Sequence, residues 1–353
     1  MSRSDISIEP FRGDYENLEQ MAFSSWRDEY GLASFPNLYQ PEYLKFLFEP
    51  IKDKRHLITA YRGNEIVAFF ASLPRRYHFQ GKIYRGVLSC LLVTRKEFLR
   101  QGLALAIIDQ ALKLNRSFNY DFALLYLETG HRSTRMIEKL KQAGQPVEWV
   151  KRMSVLGRVL DLKKVSESES LKRWERAMIR IVRADQPPPA VASELVRGYQ
   201  PKDLEQCLAL LNQYQERVTL ARVWEREELS GELAYPEISQ TLVYEKNGKI
   251  AGLINWTYHL HLGRTKERWA WLNHISYPGL SASERLALIQ AFLAYIKTAG
   301  CIGAIEWTKK YYPMTPIYRA HFFPYFRAVN LISWNFNPGL VIKNIPDVYE
   351  VQI

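Results

Sequence analysis

Residues 100–104 have the residue types and spacing of an anion-binding loop. They read Arg-Gln-Gly-Leu-Ala, follow an apolar predicted strand and open a strongly predicted helix. The first N–H groups of a helix have no partners inside it and carry the positive end of its dipole. Gly102 lets the backbone approach a ligand closely, and the small Ala104 leaves room above it. Three cationic side chains add positive charge: Arg95 and Lys96 precede the loop, and Arg100 is its first residue. The pattern predicts a site for a pyrophosphate.

The loop and its surroundings resemble the acyl-CoA motif of the GCN5-related N-acetyltransferase (GNAT) superfamily. Residues 93–104 read Val-Thr-Arg-Lys-Glu-Phe-Leu-Arg-Gln-Gly-Leu-Ala, and in that family R/Q-x-x-G-x-G/A follows the fourth strand. Leu99 stands at the usual Arg or Gln position, and a basic residue comes one place later, at Arg100. The resemblance covers roughly residues 5–160 and implies binding of acetyl-CoA or another acyl-CoA. A loop that no longer binds the cofactor is the alternative.

The resemblance also implies where the cofactor lies and how it reacts. In the family the fourth strand parts from the fifth, the pantetheine arm pairs with the fourth strand, and an amine attacks the thioester directly. A backbone N–H near Leu92 is then the implied oxyanion donor. The implied cofactor-binding residues are Leu91, Leu92, Val93, Arg100, Gln101, Gly102, Leu103 and Ala104.

The acid and the base of this reaction are less evident from the sequence. Many members of the family place a Tyr in the helix after the fifth strand, but residues 133–141 contain none. The local candidates are Tyr126, Glu128 and His131. A structural role stays open for each of them, and Glu128 would also suit the positive end of the next helix. Cys90 is interpreted as a small buried core residue rather than an acyl carrier.

The predicted elements form two α/β halves of similar order. The first half, residues 1–161, reads β-α-α-β-β-β-loop-α-β-α-β, with antiparallel hairpins before a βαβ crossover. Residues 162–193 form a linker with an amphipathic helix over 171–182, interpreted as packing on a domain rather than lying on a membrane. The second half, residues 194–353, repeats the order without a phosphate loop. The predicted fold class is therefore α/β, with two GNAT-like domains, each a mixed, mostly antiparallel sheet flanked by helices.

The second half is expected to shape the acceptor site. The overall pattern resembles tandem-GNAT acyltransferases, in which one half keeps the cofactor; in some of them the chain's terminal carboxylate serves as base. A catalytic carboxylate on Ile353 is a hypothesis on that ground. Five aromatic or imidazole side chains are candidates to line an acceptor pocket, although core packing is the favoured interpretation: Trp256, Trp269, Trp271, His259 and His274.

Composition limits the remaining classes of protein. The chain has 353 residues, a net charge of +11 and three widely spaced cysteines. No apolar run is long enough for a transmembrane helix, no signal peptide is expected, and no metal site is predicted. The basic residues are dispersed, which makes nucleic acid an unlikely partner. A cytoplasmic protein with no membrane partner is expected.

These observations predict an acyl-CoA-dependent N-acyltransferase, most simply an N-acetyltransferase, acting on a small-molecule amine rather than a protein. Two alternatives stay open. The first is an aminoacyl transferase of the related Fem type, which would use charged tRNA instead of CoA. The second is a catalytically inactive GNAT-like binding module.

Overall fold

The computed structural model describes residues 5–31, 33–99, 101–188 and 194–350. The strands in these ranges are β1 (Ile6–Pro10), β2 (Phe35–Pro36), β3 (Leu57–Arg62), β4 (Glu65–Phe79), β5 (Lys82–Thr94), β6 (Phe122–Glu128), β7 (Val147–Val159), β8 (Val196–Gly198), β9 (Leu220–Val223), β10 (Ser239–Lys246), β11 (Lys249–Leu262), β12 (Lys266–Ser276), β13 (Gly303–Trp307), β14 (Phe323–Asn335) and β15 (Val348–Tyr349). The helices are α1 (Tyr15–Tyr30), α2 (Pro41–Phe48), α3 (Leu103–Ser117), α4 (Arg132–Gln142), α5 (Leu162–Ser168), α6 (Arg173–Ile181), α7 (Leu204–Asn212), α8 (Tyr214–Arg217), α9 (Arg226–Leu233), α10 (Ala282–Thr298) and α11 (Thr315–Arg319).

One twisted sheet runs through both halves of the chain. Its strand order is β1-β3-β4-β5-β6-β14-β7-β13-β12-β11-β10-β8. Neighbours along this path are antiparallel, except for β5 with β6 and β12 with β13, which are parallel. Helices cover both faces, so the predicted fold class, a mixed α/β sheet flanked by helices, is confirmed.

The two halves exchange a strand at the centre of the sheet. The long strand β14 of the second half lies between β6 and β7 of the first half. In turn, β7 of the first half pairs with β13 of the second. Each half therefore completes its sheet with a strand from the other. The division at residues 161 and 194 stays a prediction, because no break in the sheet marks it.

Local sequence accounts for the helices that frame the centre. Asp14 caps α1 by accepting a hydrogen bond from the Asn17 N–H at 3.0 Å, and a capping box of Ser281 and Glu284 opens α10. The helix α3 carries apolar residues on two sides. Ile107 on one side packs under β3 and β4, whereas Leu105 on the other is half exposed, so only part of the second side is buried. No helix in the described ranges is long and apolar enough to cross a bilayer.

Candidate functional site

The parallel strands β5 and β6 pair over only part of their length and then separate. Gly86 to Ser89 pair with Phe122 to Leu125. Beyond these residues, the end of β5 (residues 90–94) pairs only with β4. The end of β6 pairs with β14. The separation leaves an opening in the sheet, with strand backbone on both of its sides. The predicted parting of these two strands is therefore present.

A β-bulge distorts β5 at this opening. Cys90 pairs with Ala71 and Val93 with Phe69, so two residues, 91 and 92, face one residue of β4. Leu91 has φ of 57°, a left-handed conformation that costs a non-glycine residue energy and tends to occur at functional sites. A bulge interrupts the ladder and re-aims the backbone. The distortion coincides with the position where the resemblance implies an oxyanion donor.

The predicted anion loop leads from β5 into α3. Gly102, the N-cap of the helix, has φ of 79°. This left-handed backbone conformation is one that glycine adopts readily. Arg100 lies outside the described residues. The other two predicted cations are engaged nearby: the Arg95 guanidinium binds Glu65 at 2.9 Å, and Lys96 lies 3.2 Å from Asp28. Ala104, in the first turn of α3, lines the opening. The N-terminus of this helix thus lies beside the opening, and its first N–H groups have no partner inside the helix.

A cavity of about 600 Å³ passes through the sheet at the opening. Its walls include side chains from both faces of β6: Leu125 and Leu127 from one, Tyr126 and Glu128 from the other. Leu91, Leu92 and Val93 also line it. The cavity consequently has two branches that meet where β5 and β6 separate.

The first branch, here called the α3 branch, is apolar. It follows one face of α3, with Ala104, Ile108, Ala111, Leu112 and Asn115 along its wall. At 1.5 Å per residue this wall is about 16 Å long. The opposite wall is supplied by β6, α4 and β14, through Ala123, Leu125, Met136, Ile137 and Trp334. This branch suits a hydrocarbon chain far better than a polar ligand.

The second branch, here called the Trp branch, is aromatic with a few buried polar groups. Trp269, Trp271 and Trp307 form its floor, and Trp26, Phe35 and Tyr325 contribute to its walls. The hydroxyl of Tyr126 and the indole N–H groups of Trp269 and Trp307 are buried without a hydrogen-bond partner. Buried polar atoms are nearly always paired. Three unpaired donors in this branch, besides the unpaired indole N–H of Trp334 in the α3 branch, point to a ligand with hydrogen-bond acceptors.

A carboxylate and an imidazole face each other in the Trp branch. The Trp271 N–H donates to His261 Nε2 at 3.2 Å, so the neutral ring carries its proton on Nδ1. That atom lies 3.9 Å from Glu169 Oε1. Burial raises the pKa of Glu169, but His261, Ser34 and Arg327 together lower it by more, so the net pKa lies below its usual value. Glu169 is therefore a nearly buried carboxylate that is ionised at neutral pH.

The three predicted acid–base residues occupy two different environments. Tyr126 is partly buried with its hydroxyl fully buried, and burial raises the pKa of this hydroxyl well above the ordinary value, so it stays protonated. Glu128 lies at the mouth of the cavity, where it accepts a hydrogen bond from Tyr30 at 3.3 Å. His131 is the N-cap of α4: its Nδ1 accepts from the Ser133 N–H at 3.3 Å, and its Nε2 lies 3.2 Å from Glu29. The capping bond gives His131 a structural role.

Cys90 lines the cavity as well. Burial raises the pKa of its thiol to about 12. The thiolate is the nucleophilic form of cysteine, so this thiol is inert at neutral pH. The position fits the predicted small core residue.

A buried ionic cluster ties the end of the chain to the sheet behind Tyr126. Glu350, fully buried, forms an ion pair with Arg75 of β4 and lies 3.7 Å from Arg222. Next to it, Tyr349 accepts a hydrogen bond from the Trp224 indole at 2.8 Å and lies 2.9 Å from His274 Nδ1. Val348 and Tyr349 form β15, which pairs with β9. Ile353, with its hypothetical catalytic carboxylate, lies outside the described residues.

The second half closes its own equivalent of the opening. β12 and β13 pair only from Trp269 to Trp271 and then separate, as β5 and β6 do. Here Lys309 lies across the gap, with its ammonium near the carbonyl oxygens of Leu272 and Asn273 at 3.4 and 3.3 Å. The Tyr311 hydroxyl accepts from the Ile275 N–H at 3.0 Å. Side chains of the protein thus fill the space where the first half has its cavity.

The predicted acceptor-pocket residues divide between the cavity and the core. Trp269 and Trp271 line the cavity. Trp256 is buried in the core of the second half, and His274 belongs to the cluster around Tyr349. His259 packs edge-to-face against Tyr43 and at a tilt against Trp271. Sequence analysis did not identify Glu169, because it lies in the supposed linker. No group of side chains in the described ranges could hold a metal ion.

The structure has well-matched relatives of known structure, whereas the sequence has none. No protein-family model and no curated protein matches it. Saccharomyces cerevisiae N-myristoyltransferase with bound myristoyl-CoA superposes with a TM-score of 0.81 at 16% identity, over 100% of this chain and 90% of that chain. A GCN5-related N-acetyltransferase from Kribbella flavida gives 0.53 at 12% identity, over 95% of this chain and 73% of that chain. The chain therefore shares the fold of these two solved structures.

Proposed function

We propose that the protein is an acyl-CoA-dependent N-acyltransferase, which moves an acyl group from the CoA thioester directly to an amine. The observation that carries the proposal is the cavity that crosses the sheet beside the bulge at Leu91. A donor entering along α3 and an acceptor entering through the Trp branch would meet at that point. Solved relatives with the same fold include N-myristoyltransferase with bound myristoyl-CoA, which supports the same class of reaction.

The donor is proposed to bind across the start of α3. The CoA phosphates bind Arg100, Gln101 and the first N–H groups of α3 beyond Gly102. The pantetheine arm runs along residues 91–93, and the Leu92 N–H donates to the thioester oxygen. These roles follow the resemblance, and the helix N-terminus and the bulge support them.

Two side chains are proposed to handle protons. The acceptor ammonium loses a proton to Glu169, its neutral nitrogen attacks the carbonyl carbon, and the C–S bond breaks. Tyr126, protonated and unpaired, donates its proton to the departing thiolate, and the nitrogen of the new amide returns a proton to the Tyr126 oxygen, so the products are the amide, CoA thiol and one proton on Glu169. Glu128 and His131 remain candidates on the same side of the cavity, but each already has a partner. The Glu169→Gln variant should raise the KM for the amine at least tenfold and leave acyl-CoA affinity unchanged.

The acyl group is proposed to be longer than acetyl. Sequence analysis favoured acetyl-CoA, but an acetyl group would leave most of the apolar α3 branch empty. Transfer of each methylene from water to an apolar site contributes about 0.8 kcal/mol. An acyl chain that fills the branch should therefore bind much more tightly than acetyl.

The acceptor is proposed to be a small amine that also carries oxygen atoms. The Trp branch is covered by α1, β2 and the segment around Glu169, which favours a compact molecule. The unpaired N–H groups of Trp269 and Trp307 would donate to such oxygens. The three cysteines of the chain are unpaired thiols, which supports the proposed cytoplasmic location.

The test is calorimetric titration of CoA, acetyl-CoA and long-chain acyl-CoA into the protein and into Gly102→Trp. Binding by the wild type that is lost in this variant supports the site. The matched control is Gly144→Trp, which places the same side chain at another left-handed glycine (φ 82°) with nothing nearby. Absence of binding to folded wild type would refute the proposal, as would equal loss in both variants. Release of CoA thiol in the presence of an amine panel then measures turnover.

A further inference from the structure

The helix α6 presents an apolar stripe to solvent. Ile181 is 78% exposed, and Trp174, Met178 and Val182 are each about half exposed or somewhat less. At about 100° per residue these four positions lie within roughly 100° of arc on the helix. Only Ile179, on another side of α6, is buried against the central core. The expected packing of this helix therefore uses one residue of the helix and leaves its most apolar side uncovered.

Basic side chains lie on the side of α6 opposite the stripe. Residues 172–185 contain five cations and two acids. The cations are Lys172, Arg173, Arg176, Arg180 and Arg183, and none has an ion-pair partner among the carboxylates that the structure describes. At about 100° per residue these five positions also lie within roughly 100° of arc, centred opposite the apolar arc. The helix therefore combines an aliphatic–aromatic side with an unneutralised basic side.

The helix is held firmly, so the stripe has a fixed orientation. The buried guanidinium of Arg158 contacts four backbone carbonyl groups. Two of them, of Ala184 and Gln186, lie just after α6, and the others are the oxygens of Val159 at 2.6 Å and Ala320 at 2.9 Å. The Val159 N–H also donates to the Ala184 oxygen at 3.1 Å. The end of α6 is thus attached to the central strand β7. These hydrogen bonds distinguish the segment from a flexible linker.

We propose that α6 docks the protein on an anionic lipid bilayer surface. A basic helix of low net hydrophobicity, with Trp and aliphatic residues along one side, has the composition of helices that lie in the plane of the bilayer interface. The cations would lie among anionic headgroups, while Met178 and Ile181 enter the boundary with the acyl chains. Four side chains are too few for a stable protein interface, which buries about 800 Å² on each partner. The inference revises the expectation of no membrane partner.

The position of α6 relates this surface to the cavity. The segment that leads into α6 contains Glu169, which lines the Trp branch. A bilayer bound to α6 would therefore lie near one end of the cavity. The docking surface is nevertheless independent of the proposed acyl transfer, and its test requires no activity.

The test is cosedimentation of the full chain with vesicles of phosphatidylcholine, either alone or with 30% phosphatidylglycerol. We expect binding to the anionic vesicles only, and at least tenfold weaker binding by Met178→Glu/Ile181→Glu. The matched control is Leu105→Glu/Val341→Glu, which makes the same charge change at two other exposed aliphatic residues and should bind like the wild type. Arg173→Gln/Arg180→Gln should weaken binding about 25-fold, since each charge near the surface contributes about fivefold.

Three outcomes would overturn the proposal. One is no binding of the wild type to anionic vesicles. Another is equal loss in the α6 and control variants, which would attribute binding to total charge. The third is concentration-dependent self-association that Met178→Glu/Ile181→Glu abolishes while the wild type ignores vesicles, because the stripe would then be a contact between two copies of the chain.

Discussion

Filling the α3 branch should shorten the acyl chain that the protein accepts. Ala111 is buried on the wall of this branch, seven residues beyond Ala104, which is about 10 Å along the helix axis. The Ala111→Phe variant places a ring across the branch at that depth. If the ring excludes three terminal methylenes, the loss is about 2.4 kcal/mol, or roughly fiftyfold in affinity. Donors that end before Ala111 should bind as before.

The assay is calorimetric affinity for a series of saturated acyl-CoAs from two to sixteen carbons, read as a profile against length. The wild-type profile should rise by about fourfold per methylene until the branch is full, and the Ala111→Phe profile should level off earlier. Leu105→Phe adds the same group on the exposed side of α3 and should leave the profile unchanged. Ala111→Leu should give an intermediate profile and guards against a folding defect. A uniform loss at every length, or an unshifted profile, would refute the assignment of this branch to the acyl chain.

Three further predictions concern other parts of the site. Glu350→Ala should lower the free energy of unfolding, measured in urea, by about 3–5 kcal/mol, because it leaves the buried Arg75 guanidinium without its carboxylate and leaves Arg222 with Glu228 alone. Glu225→Ala, which removes an exposed pair, should cost less than about 1 kcal/mol. Tyr126→Phe should reduce kcat by about 10²-fold or more without changing acyl-CoA affinity or stability, and equal kcat would exclude Tyr126 as the acid. Burial raises the pKa of Glu306 to about 7 despite the nearby Lys309. Between pH 4.5 and 7 the folded state therefore binds more protons than the unfolded state, so the free energy of unfolding should fall by roughly 3 kcal/mol as the pH rises through this window. Urea titrations of Glu306→Gln should not show that fall.

The sequence predicted the elements around the start of α3 better than the contacts of the Trp branch. Gly102 and its helix lie next to each other in the chain, so a local pattern identifies them. Glu169 meets His261 only through folding across 92 positions, and no spacing rule connects such residues. The apolar positions of β5 and β6 predicted strands, but not the bulge at Leu91, because a leucine has no sequence preference for left-handed backbone.

The same limit applies to the sheet. The order of elements was recognised twice along the chain, since hydrophobic periodicity is local. The exchange of β7 and β14 depends on which strand edge each of them joins. The available edges are alike, since each is apolar and accepts an antiparallel neighbour, so the sequence does not distinguish between them. Similarly, Lys309 looks like an ordinary surface cation in the sequence. Its place in the closed gap of the second half follows from the strand separation that it bridges.

The exchange of β7 and β14 has a consequence for the order in which the protein can be made. β6 borders the cavity, yet its partner β14 begins about 200 positions later along the chain. Until that strand leaves the ribosome, the edge of β6 exposes unpaired backbone, which invites association with other chains. Pairing across such a distance also slows folding. We therefore expect the first half alone to be insoluble when expressed, and the complete chain to lose its structure in a single cooperative transition rather than one half at a time.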